Sequence, residues 1–401
     1  MKVWLIQANE PIPAVDKNQR PFRTGMLAEA LLKQGHEVVW FAATFDHYTK
    51  TQRFSVNQMV QIEDNFQIQF LYGCRYQKNI SLLRIKNHIQ IAKQFKRVSR
   101  KLQEPDLIYC SFPPIYLAKK ALSYANQKNI KFVLDVRDLW PEVFERAVPK
   151  KMYWVTNPIF RYLHRLVNQL YRNSYAVNAV SNECVNYVIE KSGRKKKKYD
   201  SGYFIGFPNR YQLSAEESLI ARAEKVQIIF VGTLSNQINY DLICKIAMKL
   251  KNIDFIIGGD GPLSEDFHTL AKDLPNIQFK GWLDANTIQQ YMKQASFALI
   301  PYYDTFDFQL GVGNKFAEAL CYALPPIVLC NGVMKNLILN NQCGVFGKDA
   351  HDVAFQITEL LDDDIKYQNY VKNAHHLYQE QFDSSKIYPN LVNDLVKLQE
   401  E

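Results

Sequence analysis

Apolar residues fall into short runs separated by stretches with helical spacing. Lys2-Val3-Trp4-Leu5-Ile6 reads as a buried strand. A polar, proline-containing loop follows to about Pro21. Between Thr24 and Gln34 the apolar positions 26, 27, 30 and 31 recur as on one face of a helix. Gly35 then supplies the residue type that accepts a left-handed helix end. Val38-Val39-Trp40-Phe41 is the next strand. Strand, loop, helix and strand in this order predict a parallel sheet with helices on its faces.

The rhythm continues through Asp106–Cys110, Phe132–Asp135 and Ala176–Val180. A basic break, Lys191-Ser192-Gly193-Arg194-Lys195-Lys196-Lys197-Lys198, interrupts it. The pattern then restarts with Ile228–Val231, Phe255–Ile257, Ile277–Phe279, Phe297–Ile300 and Ile327–Leu329, each followed by a helical segment. Two α/β halves joined near residue 200 are expected, and the absence of a short repeat argues against solenoids and propellers. No apolar run is long enough to span a bilayer, and the first residues turn polar too early for a signal peptide. A cytoplasmic chain is the expectation.

Composition changes this picture in two ways. Seven scattered cysteines without a CxxC pair point to reduced thiols and away from a zinc site. The net charge of +9 hides an asymmetry: residues 1–200 carry 33 Lys and Arg against 16 Asp and Glu, and residues 201–401 carry 16 against 24. The basic half suits nucleic acid, a phosphorylated substrate or an anionic membrane, and charge alone does not choose among them.

Candidate chemistry lies in the loops that follow strands, where open α/β sheets bind ligands. Four such loops in the second half contain glycine: Gly232-Thr233-Leu234, Gly258-Gly259-Asp260-Gly261-Pro262, Gly281-Trp282, and Gly311-Val312-Gly313-Asn314-Lys315. The last precedes a helix. Glycines let a backbone approach a ligand, and a helix start favours an anion. Lys315 is otherwise out of place at a helix start, where the dipole disfavours cations, and a diphosphate reconciles the two. Glu318, one turn further in, is positioned to accept sugar hydroxyls. The bland reading is a glycine-rich turn with solvated charges, but four such loops in one half argue against accident.

These motifs resemble the retaining glycosyltransferases of family 4, which have the GT-B fold of two Rossmann-like domains facing across a cleft. Phe230-Val231-Gly232-Thr233-Leu234, Ile257–Pro262, Asn276–Trp282 and Asn314-Lys315-Phe316-Ala317-Glu318-Ala319-Leu320 follow the family's order and spacing. In the first half, Leu27–Val38 matches the family's first helix and second strand. Asp135-Val136-Arg137-Asp138-Leu139-Trp140-Pro141-Glu142 looks like the branch that builds bacterial O-antigens and capsules, aminosugar transferases included. The resemblance implies an acceptor domain of residues 1–203, a nucleotide-sugar domain of 204–378, and a segment 379–401 crossing back to the first. It implies hexosyl or N-acetylhexosaminyl transfer from a UDP-sugar, with no metal or other cofactor. Gly232, Thr233, Asp260, Gly261, Trp282, Gly311, Gly313, Asn314, Lys315 and Glu318 would bind the donor. Lys315, Arg137 and Asp138 would serve catalysis, and Arg20 and Arg23 the acceptor.

The departures from the family pattern matter. Its first donor glutamate is Leu310 here, so Asp304, Asp307 or Gln309 is left to contact the sugar. Its Arg and Lys after the first strand of the second domain are Thr233 and Ile238, which leaves the phosphate charge to Lys315 and the helix start. Asp138 either pairs with Arg137 or orients a substrate hydroxyl. Trp140 and Pro141 either wall the cleft or belong to the core.

Two basic stretches bear on partners. Residues 65–103 hold nine Lys and Arg and no acid, with Ile80, Leu83, Ile85, Ile89 and Ile91 among them. Residues 150–172 mix aromatics with Arg161 and Arg165. Each reads as a core-packed helix with a solvated basic side, or as a helix lying on anionic lipid. Both fall in one domain, which favours a peripheral membrane surface and a lipid-linked or glycan acceptor. An epimerase of the same fold and an inactive partner subunit are the rival readings. A nucleic-acid binder would leave the glycine loops without purpose.

Overall fold

The computed structural model describes residues 1–16 and 19–401, the side chains of Ala147 and Lys150 excepted. The chain divides into two compact units, Met1–Tyr203 with Tyr388–Glu401, and Phe204–Ile387.

In the first unit the strands are β1 (Lys2–Ile6), β2 (Glu37–Ala43), β3 (Gln58–Glu63), β4 (Phe66–Leu71), β5 (Leu107–Phe112), β6 (Lys131–Val136), β7 (Ala176–Ala179) and β8 (Ser201–Gly202). They form one sheet in the order β3-β4-β2-β1-β5-β6-β7-β8. The pairing is parallel except where β3 runs antiparallel to β4. β1, β5 and β6 are near-continuous apolar runs because helices cover both faces of a parallel sheet. The helix Arg23–Lys33 follows β1 and ends at Gln34, with Gly35 at φ +77° as the sequence predicts. Ser81 and Ser181 start the helices Leu82–Val98 and Asn182–Ser192 by accepting backbone N–H groups of Arg84 and Cys184.

The second unit adds β9 (Gln227–Val231), β10 (Asp254–Gly258), β11 (Ile277–Gly281), β12 (Phe297–Ile300), β13 (Pro326–Val328) and β14 (Val345–Phe346). Their order is β11-β10-β9-β12-β13-β14, with every pair parallel. The sequence reading does not include β3, β4, β8 or β14. β8 and β14 are two residues each, too short to show a pattern.

The return to the first unit begins at Tyr388, inside the helix Ser384–Glu400, and not at residue 379. Residues before it stay with the second unit because Phe207 holds them. Phe207 N–H donates to the Phe382 carbonyl at 2.9 Å, and the Phe207 carbonyl accepts from Ser384 N–H at 3.2 Å and from the Tyr378 hydroxyl at 2.9 Å. Past Tyr388, Leu391, Val392, Leu395 and Leu398 join Val3, Leu5 and Trp40 in the first core. Lys131 donates to the carbonyls of Leu398 and Gln399 at 2.7 and 2.9 Å, placing a cation at the negative end of that helix.

Candidate functional site

In open parallel sheets the crevice for a ligand lies beyond the carboxyl ends of the strands, where strand order reverses. In the second sheet the reversal falls between β9 and β12. Gly232 leaves β9, and the chain after β12 leads into the helix Asn314–Cys321. These segments meet. A Cβ on Gly232 would strike the Lys315 ammonium, so glycine is what lets this side chain lie over the end of β9. Lys315 Nζ also stands 5.2 Å from the centre of the Phe230 ring. Gly313 caps the helix without a side-chain hydrogen bond, leaving a start that favours an anion.

Neighbouring loops fix this geometry through their main chains. Gly232 N–H donates to the Gly258 carbonyl at 2.9 Å, Gly259 N–H to Gly281 at 2.6 Å, and Leu234 N–H to Asp260 at 3.1 Å. Gly259 has φ +123°, and a Cβ there or on Gly261 would collide with the backbone of Gly232 or Leu234. Both glycines therefore have a packing role, whatever a ligand touches. Asp260 turns back on its own loop. Its carboxylate accepts from Ser264 Oγ at 2.5 Å and Gly261 N–H at 2.7 Å, and these bonds hold it below the usual carboxylate range.

Thr233 is exposed, as is Trp282 (77%), which follows Gly281. Gly311, Asn314 and Glu318 are half-buried. Burial, then Cys330 and Glu318, raise the Tyr302 phenol well above its ordinary value, which puts Glu318 within electrostatic reach of Tyr302. Of the residues considered in place of the glutamate at Leu310, Asp304 and Gln309 are bonded to each other and Asp307 to Thr305. Asp304 accepts from Gln309 Nε2 at 2.8 Å and from Asn331 N–H and Nδ2 at 3.0 and 2.6 Å, and Asp307 accepts from the Thr305 hydroxyl at 2.6 Å.

In the first sheet the order reverses between β1 and β5. Here the structure brings together four charges of which the sequence reading paired none. Asp135, fully buried at the end of β6, accepts from Arg23 Nε and Nη2 and from Arg137 Nε at 2.8–3.2 Å. Arg137 also pairs with Glu10 and donates to the Thr24 hydroxyl at 2.9 Å, while Glu10 accepts the Thr24 N–H at 2.8 Å. Burial alone would raise the Asp135 carboxyl, but Arg23 and Arg137 overcome it and hold the group at about 2.

Arg23 thus departs from the acceptor-binding expectation. It is 2% exposed, and its guanidinium is engaged by Asp135 and by the Tyr203 carbonyl at 2.7 Å. The cause is position: the helix it begins packs directly against the strand ends. Arg20 is half-buried with its guanidinium 4.8 Å from the Phe22 ring centre. Arg137 has Asp135 and Glu10 as ion-pair partners, and Asp138 is exposed one residue beyond it. Tyr48 is more than half exposed and lies within electrostatic reach of Glu10 and Asp138. Trp140 is half-buried and lines a cavity of this unit, 4.5 Å from the ring of Phe144 and 5.8 Å from that of His88. Among the described residues no group of three or more His, Cys, Asp or Glu is placed to hold a metal ion.

Two parallel-sheet units, each with polar groups gathered at its strand-order reversal, define the GT-B class. A family model described as Glycosyltransferase Family 4 matches residues 23–200, and one described as Glycosyl transferases group 1 matches residues 225–363. Together they cover most of the chain, which is thus built of two glycosyltransferase domains, one matching each model. Solved structures agree on the fold. A sucrose-phosphate synthase from Thermosynechococcus elongatus aligns over 99% of this chain and 98% of its own with TM-score 0.73 at 15% identity. The Anabaena protein HepE, in complex with UDP, aligns over 99% of both chains with TM-score 0.69 at 14% identity. WaaG, a glycosyltransferase involved in lipopolysaccharide biosynthesis, aligns over 98% of this chain and 99% of its own with TM-score 0.68 at 12% identity. No curated protein sequence matches the chain.

Proposed function

We propose that this glycosyltransferase is a retaining, metal-independent enzyme that takes a hexosyl or N-acetylhexosaminyl group from a UDP-sugar. Its acceptor is a lipid-linked glycan of bacterial surface polysaccharide synthesis, met at the cytoplasmic face of the membrane. The observation that carries the donor reading is Lys315 lying against Gly232 at the strand-order reversal of the second sheet. HepE has been solved with UDP and with UDP-glucose, which supports the same nucleotide here. In this reading the bond from the sugar C1 to the diphosphate breaks and the bond to the acceptor oxygen forms on the same face. The acceptor proton passes to the departing phosphate oxygen. Lys315 and the helix N–H groups stabilise the charge that develops there, the dominant catalytic contribution. The test is turnover of a panel of UDP-sugars with a lipid-linked acceptor. Glycosylated lipid supports the reading, epimerised donor replaces it with the epimerase, and no turnover of any UDP-sugar contradicts it.

Glu318 is assigned to the donor's ribose from its place one turn inside the helix. Glu318→Ala is expected to raise the donor KM, and Glu318→Gln to do less because it keeps one acceptor oxygen. Wild-type kinetics in the alanine variant would remove the ribose role.

The membrane reading rests on the basic first half. No helix among the described residues is long and apolar enough to cross a membrane. The helix Leu82–Val98 buries Ile91, Ala92 and Phe95 and turns Lys93, Lys96 and Arg97 outward, with Arg100 exposed just beyond. The protein is expected to sediment with anionic vesicles and to come off as salt rises, since each cation near such a surface contributes about 1 kcal/mol. Neutralising Lys93, Lys96, Arg97 and Arg100 together should release it without unfolding it. Equal binding to neutral and anionic vesicles would contradict the membrane claim.

A further inference from the structure

The first unit contains a cavity of about 430 Å³, within the range of small-molecule sites, about 300–1,000 Å³. It opens among the starts of the helices Leu82–Val98 and Tyr153–Asn173 and is lined chiefly by apolar side chains, Ile85, Ile115, Phe144, Ile159, Phe160 and Leu163 among them. The surface around it is unusual. Leu82 (84%), Trp154 (81%) and Ile80 (70%) are exposed, with Leu83, Val155 and Tyr162 also in the open. Large apolar side chains gathered on a surface mark an interaction site, and indole rings favour the boundary between hydrocarbon and water. The same segments carry exposed Arg75, Lys78, Lys86, Lys151, Arg161 and Arg165, and no acid lies between residues 65 and 103. An apolar face ringed by cations matches an anionic bilayer in both charge and polarity.

Among its polar lining residues, Arg84 and His88 bring basic side chains to the cavity. Arg84 stands with its guanidinium 5.2 Å from the Trp140 ring centre and donates Nη1 to the Asn79 carbonyl at 2.6 Å. Burial draws its pKa down, while Tyr76 and then Asp138 pull it up, so Asp138 lies within electrostatic reach. His88 is 4% exposed, and its buried Nε2 has no hydrogen-bond partner. A buried polar atom left without a partner is costly, and a bound hydrogen-bonding group relieves that cost.

We propose that this cavity holds the first carbons of the hydrocarbon chain of a membrane lipid phosphate, with the phosphate at Arg84 and the chain entering through the face of Ile80, Leu82 and Trp154. The proposal rests on the lipid-linked acceptor reading and specifies it. The glycosyl acceptor is then a lipid whose phosphate adjoins its hydrocarbon, presented beside the strand end that carries Asp138.

Calorimetry of the full chain with farnesyl phosphate, farnesol and inorganic phosphate tests it without any sugar transfer. Farnesyl phosphate is expected to bind at least tenfold tighter than either of the others. The double variant Ile85→Ser/Ile159→Ser, at half-exposed lining positions, is expected to lose tenfold or more of that affinity. Ile80→Ser, at a more exposed position, serves if the double variant fails to fold. Arg84→Gln should abolish the preference for farnesyl phosphate over farnesol. Farnesyl phosphate binding no tighter than inorganic phosphate, or folded variants that bind like the wild type, overturns the proposal. A concentration-dependent dimer lost in Ile80→Ser would assign the face to a second copy and overturn it as well. A chain that binds UDP but not farnesyl phosphate loses the pocket and keeps the transferase reading. One that binds farnesyl phosphate but turns over no UDP-sugar does the reverse.

Discussion

Lys315→Ala is expected to weaken UDP binding about 10- to 150-fold and to bring sugar transfer close to zero. The affinity loss follows from removing a charge-assisted hydrogen bond worth about 1.5–3 kcal/mol. The loss in rate should be larger than the loss in affinity, because charge on the departing diphosphate grows as the sugar bond breaks. The departures at Thr233 and Ile238 sharpen this expectation, since neither position supplies a second cation. Lys315→Arg keeps the charge but enlarges the head group where Gly232 leaves room for an ammonium, so it should rescue only part of the activity. UDP affinity and transfer rates measured side by side decide the matter. An alanine variant with wild-type UDP affinity would remove Lys315 from the phosphate site.

Asp135→Ala should destabilise the first unit by about 3–5 kcal/mol, the typical effect of breaking a buried ion pair from one side. The carboxylate is fully buried and shared by Arg23 and Arg137, so its loss strands positive charge in the interior. Glu10 remains to Arg137, while Arg23 loses the carboxylate that accepts from its Nε and Nη2 and keeps its bond to the Tyr203 carbonyl. Denaturant unfolding of wild type and variant measures the difference, and a change below about 1 kcal/mol would show that the network contributes little. The pH dependence has a definite sign. The folded-state carboxyl lies at about 2, below its ordinary value of 3.8. The stabilisation is therefore fully present above about pH 4 and is lost as pH falls toward 2. Asp135→Ala should lack that part of the acid transition.

Much of the second unit was legible because its chemistry is local. Glycine directly after an apolar run marks a loop at a strand end, and Gly232, Gly259 and Gly261 fall there, while Gly313 stands directly before the helix Asn314–Cys321. What sequence could not give is why each is glycine: 259 and 261 make room for the β9 loop, whereas 232 makes room for Lys315, 83 residues further on. In the first unit, expecting continuous apolar runs passes over Phe66-Gln67-Ile68-Gln69-Phe70. That alternation is the signature of a strand near a sheet edge, and it pairs with the more exposed β3. Asp135 was in plain view as a charge ending the run Phe132-Val133-Leu134. A charge inside an apolar strand must find a partner, but Arg23 stands 112 residues away, and only the fold brings it there. The apolar cavity was hidden for the same reason, since its lining comes from segments spread over residues 79–163.

The most direct test of the donor site is a crystal structure of this chain with UDP bound. The β-phosphate should lie within hydrogen-bond distance of Lys315 Nζ and the N–H groups that start the helix Asn314–Cys321, with the ribose hydroxyls on Glu318. UDP held elsewhere, with Lys315 out of reach of both phosphates, would contradict the assignment.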